Sequence, residues 1–366
     1  RGDRTDRGTS NHLGSPQEPI IAQSFMNELS KAAILEAREI RFGHGKGTSR
    51  EKPLGGPLDL SLRKGELVCL LGPNGAGKST LLRTLCGFLA PLSGTVQIAG
   101  RPIGDYTPQD LARIRGVLPT REAPPAGMRV EELVSLGRHP HSHWTGRLTA
   151  EDRSAIDNAF AETGSEPFRH RPIGELSDGE RQRVALARLL SQEPELTFLD
   201  EPAAFLDLPS RIEILGKLSS VARTRNIAIL LTTHDLESAL RHADRIWLLG
   251  HQGQLREGTP EDLVLAGAYQ ETFTSPSLTF DITQGNFHPR KERGTPIQLS
   301  GPDPHRHWTA RALERKGWEA TQDGGTDKKI EIQQKGESFR WTLHLPGDLP
   351  STHPSIGQCL DVLGRG

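Results

Sequence analysis

Short apolar runs recur from Ile34 to Asp281, and stretches with helix-like spacing of apolar residues separate them. The runs Glu66–Leu71 and Ile227–Leu231 have the length of buried strands rather than of helices. Strands that alternate with helices in this way are typical of an α/β domain with a largely parallel sheet. We therefore predict one such domain over residues 34–282.

The two ends of the chain have different patterns. Residues 1–33 begin with a charged, Gly/Ser/Pro-containing stretch, which predicts a disordered or loosely packed arm. Residues 283–296 are polar, with glycine, proline and a charge cluster, and we expect a linker there. Residues 297–366 then predict a small α+β domain whose role the sequence leaves open. Its expected elements are strands at Ile297–Leu299, Lys329–Gln333 and Phe339–Leu345 and a helix at His305–Lys316, with Trp308, Trp318 and Trp341 in its core.

Composition narrows the function classes. The 366 residues contain 45 basic and 46 acidic side chains, a formal net charge of −1. Nucleic-acid binding favours a clearly basic surface, so we expect no nucleic-acid partner. Three cysteines do not form a disulfide framework, and a reducing cytoplasm is the expected compartment. No apolar run reaches the length of a membrane span.

A glycine-rich segment follows the run Glu66–Leu71 and precedes a helical pattern. Glycines let backbone N–H groups turn toward phosphate oxygens, and the N-terminus of the next helix adds positive charge. Lys78 is predicted to reach the β- and γ-phosphates of a nucleotide, and Ser79 to offer its hydroxyl to Mg²⁺. The segment fits the pattern G-x-x-x-x-G-K-[ST] with Gly72, Pro73, Asn74, Gly75, Ala76, Gly77, Lys78, Ser79 and Thr80.

Two further strand ends carry candidate chemistry. The run Leu196–Leu199 ends at Asp200 and Glu201, and the run Ile227–Leu231 leads to His234. Asp200 is suited to the Mg²⁺ of a P-loop enzyme, and Glu201 to orienting or deprotonating the attacking water. A histidine at a strand end can contact the γ-phosphate.

A third motif begins a helix. Ser177 and Glu180 have the S-x-x-E spacing of a capping box, which alone explains a helix start. The same stretch is similar to the L-S-G-G-Q signature of ABC-type ATPases, in which a helix N-terminus holds a γ-phosphate. Its residues here are Ser177, Asp178, Gly179 and Glu180, with acidic residues in place of the first glycine and the glutamine.

The order of P-loop, signature, acidic strand and His234 resembles the ATP-binding subunit of an ABC transporter over roughly two thirds of the chain. The resemblance implies a P-loop NTPase fold of ABC type, with a mixed sheet core and a helical subdomain. It also implies a catalytic role for Glu201 and His234 and a D-loop role for Asp207. The segment Val130–Pro140, which ends in Gly137-Arg138-His139-Pro140, looks like a stretch found in importers of iron–siderophore, haem and cobalamin.

The resemblance implies partners as well. ATP with Mg²⁺ is expected between two subunits that face head to tail, with the signature of one covering the P-loop of the other. We expect integral membrane permease subunits and a solute-binding protein in the full system. The expected location is the cytoplasmic face of the membrane, as a peripheral subunit.

Two further positions depart from the family, and the second of them helps to keep an alternative open. Phe42 is the candidate for stacking on adenine, where the family often has tyrosine. Thr120 stands where the family has a glutamine near Mg²⁺, and a threonine reaches less far. Together with Asp178, Thr120 allows a non-transport ABC protein that binds ATP and hydrolyses it weakly. Permease and solute-binding genes beside this one would favour the importer.

Overall fold

The computed structural model describes residues 33–120, 125–142, 147–273, 275–290, 294–322 and 326–364. The N-terminal arm predicted at residues 1–33 lies almost entirely outside the described residues. The described chain divides into two compact units. The first extends to Ser275 and includes Thr279–His288, and the second comprises Pro276–Leu278 and the residues from Pro289 onward.

The first unit contains a four-stranded antiparallel sheet and a six-stranded, mostly parallel sheet. The strand order is β2-β1-β4-β5 in the first and β10-β9-β3-β8-β7-β6 in the second. A short hairpin of β11 and β12 follows. The strands are β1 (Ala33–His44), β2 (Lys52–Arg63), β3 (Leu67–Leu71), β4 (Ser93–Ile98), β5 (Arg101–Pro102), β6 (Arg115–Leu118), β7 (Leu196–Asp200), β8 (Ala228–Thr232), β9 (Arg245–Leu249), β10 (Leu255–Gly258), β11 (Leu278–Asp281) and β12 (Asn286–Pro289).

All five residues of β3, of β7 and of β8 are buried, as the unbroken apolar runs predict for strands covered on both faces. These strands are parallel neighbours, so their carboxyl ends meet at one edge of the sheet. The helices of this unit are α1 (Lys78–Leu85), α2 (Pro108–Ile114), α3 (Val130–Ser135), α4 (Ala150–Thr163), α5 (Asp178–Ser191), α6 (Leu208–Arg225), α7 (Leu236–His242), α8 (Pro260–Leu265) and α9 (Ala268–Thr272).

Helices α3, α4 and α5 form a helical region that shares one apolar core with the parallel sheet. A buried arginine ties this region together. Arg138 donates from Nε to Asp152 Oδ1 (2.8 Å) and from Nη1 to Glu193 Oε2 (2.7 Å) and to the Ser191 carbonyl (2.8 Å). The arginine of the Gly-Arg-His-Pro segment therefore joins the start of α4 to the end of α5.

The second unit has its own sheet and core. Its strand order is β14-β13-β15-β16-β17, and Trp318 and Trp341 are buried in its core. Trp308 was predicted to belong to that core, but it lies on the outer side of its helix and is largely exposed. The elements are β13 (Thr295–Ser300), α10 (His305–Glu314), β14 (Trp318–Thr321), β15 (Lys329–Lys335), β16 (Ser338–His344), β17 (Ser351–His353) and α11 (Ile356–Leu363).

The segment predicted as a linker, residues 283–296, contains more structure than expected. Asn286–Pro289 forms β12, which pairs with β11. Polar composition concealed this hairpin, whose burial comes chiefly from aromatic residues. Phe287 contacts the ring of Phe280 edge to face, at a centroid distance of 5.0 Å.

Candidate functional site

The glycine-rich segment forms the turn between β3 and α1. Gly75 and Gly77 have φ values of 81° and 99°, which side-chain-bearing residues rarely adopt. A Cβ at Gly72 would lie 2.2 Å from the Leu249 carbonyl oxygen, so the strand end needs glycine there. Helix α1 has neither a capping side chain nor an acidic residue in its first turn. Its N–H groups and positive dipole end therefore remain available to an anion.

Lys78 is the first residue of α1, and it is only 7% exposed. Its Nζ donates to the carbonyl oxygens of Gly72 (2.8 Å) and Pro73 (3.1 Å) within the same turn. Burial lowers the pKa of Lys78, and the charges of Glu201 and Asp200 oppose that shift. A phosphate at the turn would supply the counter-charge that the carbonyl groups provide only partly.

Ser79 and Asp200 meet beside Lys78. The Ser79 hydroxyl donates to Asp200 Oδ1 (2.9 Å), and the Thr232 hydroxyl donates to the same oxygen (2.7 Å). Thr232 Oγ1 in turn accepts from the Glu201 backbone N–H (2.9 Å). This chain of hydrogen bonds fixes the ends of β7 and β8 against the start of α1. Thr232 was not among the predicted site residues, although it immediately follows the apolar run that leads to His234.

Glu201 and His234 stand at the carboxyl ends of β7 and β8. His234 Nε2 lies 2.6 Å from Glu201 Oε1, and both side chains are partly exposed. Glu201 has a φ of 53°, a left-handed conformation that is strained for a glutamate. Such strain concentrates at functional sites, where the surrounding structure holds it. The arrangement points an oriented carboxylate toward the space outside the strand ends.

The signature residues lie at the start of α5. Ser177 caps the helix, since its Oγ accepts from the Glu180 N–H (3.3 Å) while Glu180 Oε2 accepts from the Ser177 N–H (2.8 Å). The predicted capping box is therefore present. Asp178 lines a cleft of ≈ 370 Å³ that also contains Thr120 and Glu201.

Thr120 lines this cleft, whereas Asp207 caps helix α6. Thr120 follows β6, is half-buried, and lines the cleft. Asp207 is the N-cap of α6, and its Oδ1 accepts from the Ser210 N–H (3.1 Å). Hydrogen bonds from the Ser210 side chain and backbone lower the pKa of Asp207. Asp207 is thus the N-cap of α6 in this chain.

Phe42 was predicted to stack on adenine, and the structure contradicts this. Its side chain is 0% exposed and packs in the core with Ile40. The ring lies beneath the phosphate turn, where a Cβ on Gly77 would be 3.0 Å from Phe42 Cε2. The exposed ring at this end of β1 is instead His44, whose Nε2 lies 3.4 Å from Thr80 Oγ1. Strand alternation from Ile40 would have assigned Phe42 to the core.

The part of the chain that the structure describes contains no cluster of three or more His, Cys, Asp or Glu side chains suited to a metal ion. Ser79 and Asp200 are oxygen ligands of the kind Mg²⁺ prefers, and such sites take their remaining ligands from substrate phosphates and water. The described helices also include none long and apolar enough to cross a membrane.

The phosphate turn, the acidic strand end and the parallel sheet define a P-loop nucleotide-binding protein of ABC type. The sequence profile of the ABC transporter family matches residues 56–204, and that of the iron ABC transporter C-terminal domain matches residues 293–364. The chain belongs to the ATP-binding subunits of ABC transporters, as its motifs predict.

Curated relatives support this assignment. The iron(3+)-hydroxamate import ATP-binding protein FhuC of Bacillus subtilis is 38% identical, over 59% of this chain and 80% of the relative. The hemin import ATP-binding protein HmuV of Streptomyces coelicolor is 40% identical, over 65% of this chain and 82% of the relative. The ferric enterobactin transport ATP-binding protein FepC of Escherichia coli is 34% identical, over 68% and 90%.

Solved structures agree on the fold. CbiO1 of Clostridium perfringens, part of an ABC transporter complex, has a TM-score of 0.57 and 27% identity, over 66% of this chain and 94% of that chain. A dimeric bacterial ABC transporter cassette has a TM-score of 0.54 and 24% identity, over 62% of this chain and 98% of that chain. The predicted ABC-type fold is confirmed.

Proposed function

We propose that this chain hydrolyses ATP to power an importer. The observation that carries the proposal is the convergence of Lys78, Ser79, Asp200, Glu201 and His234 at one edge of the parallel sheet. Phosphoryl transfer to water needs positioned positive charge on the phosphates and an oriented acceptor for the water proton. The five side chains supply both within one site.

Each residue has a distinct proposed role. The Lys78 ammonium and the N–H groups of the phosphate turn bind and neutralise the terminal phosphates. The Glu201 carboxylate orients the attacking water and accepts its proton. His234 holds Glu201 in place through their 2.6 Å contact and senses the terminal phosphate. For adenine, His44 replaces Phe42 as the proposed stacking partner, because its ring is exposed beside Thr80.

Magnesium fits the residues present. Ser79 Oγ and Asp200 Oδ1 are 2.9 Å apart and would hold Mg²⁺ directly or through water. When bound, the ion neutralises charge that develops on the phosphates. Asp200 is kept in position by the Thr232 hydroxyl, so its carboxylate is ready for a cation without rearrangement of the strand.

We further propose that two copies of the chain form the complete site, with Ser177 and Gly179 of one copy facing the phosphate turn of the other. Ser177 and the N-terminus of α5 provide hydrogen-bond donors for a terminal phosphate. ATP would then stabilise the dimer in proportion to its preference for the closed state. The alternative of a weakly hydrolysing regulator is supported by Thr120, which has a shorter reach than glutamine.

The relatives support a proposal for cargo, partners and location. FhuC, HmuV and FepC are named for hydroxamate, hemin and enterobactin transport, and the C-terminal profile is of the iron ABC type. We propose iron–siderophore, haem or cobalamin-type cargo, separate permease subunits and a solute-binding protein, at the cytoplasmic face of the membrane. Residues 297–366 are proposed as a separate domain.

The test is to reconstitute the chain in vesicles that contain ATP and Mg²⁺, together with permease subunits encoded by genes beside its own. Uptake of a ferric siderophore, haem or cobalamin that depends on ATP and on Glu201 supports the importer. Strong ATP binding with neither uptake nor stimulated hydrolysis would favour the regulator instead.

A further inference from the structure

The first turn of α5 carries two carboxylates, Asp178 at its first position and Glu180 at its third. Acidic residues there stabilise a helix by complementing its dipole. The same charges repel any other anion at that end. On the proposed function, which this inference rests on, the terminal phosphate of ATP approaches this end of α5 from the partner copy. The chain therefore needs a way to offset both charges.

The negative charge of Glu180 is balanced by contacts within the chain. Its Oε2 accepts from the Ser177 backbone N–H (2.8 Å), and its Oε1 is 3.2 Å from Arg171 Nη1. The hydrogen bond from the Ser177 backbone is the main cause of the lowered pKa of Glu180, with a further contribution from Arg171. The charge of Glu180 is thus directed back at the helix and at an arginine outside it.

Asp178 is more exposed, at 68% of its side chain, and has its own arginine. Arg181 Nη1 donates to Asp178 Oδ1 (3.0 Å), one helical turn away. Its Nη2 also donates to the Leu176 carbonyl oxygen (2.9 Å), just before the helix. These two anchors hold the guanidinium across the first turn, so the ion pair has a defined geometry.

The side chains of Asp178 and Arg181 lie on the same side of the helical region. Asp178 and Arg181 both line the cleft that contains Glu201. The next arginine of the helix, Arg183, is engaged elsewhere by Glu213 (2.6 Å). Arg181 is therefore the arginine whose charge reaches Asp178 on the cleft side.

We propose that Arg181 is a positioning residue that neutralises Asp178 and so allows this signature helix to receive a phosphate. The helix keeps its acidic cap, and the paired arginine removes the repulsion that the cap would otherwise exert. A bare carboxylate about 6 Å from a phosphate, at an effective dielectric constant of about 40, lowers the affinity roughly tenfold.

The experiment uses the 366-residue chain with Glu201→Gln, which is expected to retain bound ATP. It measures the ATP concentration for half-maximal dimerisation by light scattering. Arg181→Ala should raise that concentration roughly tenfold. Adding Asp178→Asn should restore it to within about twofold, since the two effects share one charge pair. Arg241→Ala is the control, because Arg241 forms a more exposed ion pair of the same 3.0 Å length with Glu237 within α7, and it should not change the dimerisation.

A second measurement distinguishes the electrostatic effect of Arg181→Ala from a loss of folding. Binding of a fluorescent ATP analogue to the monomer depends on the phosphate turn and should be the same with and without Arg181→Ala. The dimerisation defect should shrink in 1 M salt, where the screening length is about 3 Å.

Two results would overturn the proposal: parent-like dimerisation of Arg181→Ala, or a double variant as defective as Arg181→Ala alone. Failure of the Glu201→Gln chain itself to dimerise with ATP would reject the proposed function first, and is distinct from both.

Discussion

The imidazole of His234 and the carboxylate of Glu201 are 2.6 Å apart, from Nε2 to Oε1, at the ends of adjacent parallel strands. Each strand end is fixed by buried neighbours, and the Thr232 hydroxyl bonds the Glu201 backbone. Glu201 is therefore held by contacts on its side chain and its main chain. Its orientation does not depend on a long flexible loop.

Glu201→Gln should retain ATP binding and lower the steady-state rate of hydrolysis by about 10²- to 10⁴-fold, the usual contribution of a general base. Glutamine keeps the shape of the side chain but cannot accept the proton of water. Phosphate release and ATP affinity are measured on the same preparation. Normal turnover by this variant would rule out the role of Glu201.

His234→Ala should reduce hydrolysis while leaving ATP affinity of the monomer close to that of the parent. The reason is that His234 contacts Glu201 and lies outside the phosphate turn. The check is turnover measured together with nucleotide affinity. If affinity falls as much as turnover, His234 binds the nucleotide rather than orienting Glu201.

Lys78→Ala should weaken ATP binding itself, by roughly ten- to a hundredfold, as expected for loss of a charge-assisted hydrogen bond. Titration calorimetry with MgATP measures this. Lys64→Ala is a control, because Lys64 is a more exposed lysine paired with Glu195. Equal affinities of Lys78→Ala and the parent would contradict the assignment of the phosphate turn.

Phe42→Ala and His44→Ala should separate packing from binding. Phe42 is fully buried, so its loss should lower the free energy of unfolding by about 3–5 kcal/mol. His44 is exposed beside Thr80, and its loss should weaken ATP binding with little change in stability. Urea unfolding and nucleotide titration of both variants provide the comparison. If His44→Ala lowers only the stability, or if Phe42→Ala weakens only ATP binding, then Phe42 and not His44 is the stacking partner.

Arg138→Ala should destabilise the helical region by about 3–5 kcal/mol, because it leaves the buried Asp152 carboxylate without its partner. Although burial opposes the shift, hydrogen bonds from Thr149 and Arg138 lower the pKa of Asp152. The stabilisation is therefore complete above about pH 4 and lost as the pH falls through the lowered pKa. Urea unfolding at pH 7 and at low pH measures both effects, and a loss of under 1 kcal/mol at pH 7 would contradict them.

The sequence predicts much of this fold because its signals are local. Unbroken apolar runs place β3, β7 and β8 correctly, and the strand and helix patterns at Ile297–Leu299 and His305–Lys316 correspond to β13 and α10. The final helix, Ile356–Leu363, was missed although it has an apolar face and the serine cap Ser355.

The errors arise where a side chain's direction depends on distant parts of the chain. Phe42 was a candidate for stacking on adenine because it is aromatic. Its side chain is buried because it packs in a core cluster built from several strands and from α1. The Asp178–Arg181 pair has helical spacing, yet only the structure shows that it lines the same cleft as Glu201. Thr232 could be found only once β7 and β8 are known to be neighbours.

We propose that ATP is bound between the phosphate turn of one copy and the signature helix of another. Sedimentation equilibrium of the Glu201→Gln chain tests it most directly, with MgATP and with MgADP. We predict a dimer with MgATP and a monomer with MgADP. A chain that remains monomeric at saturating MgATP, or that dimerises equally with both nucleotides, would contradict the claim.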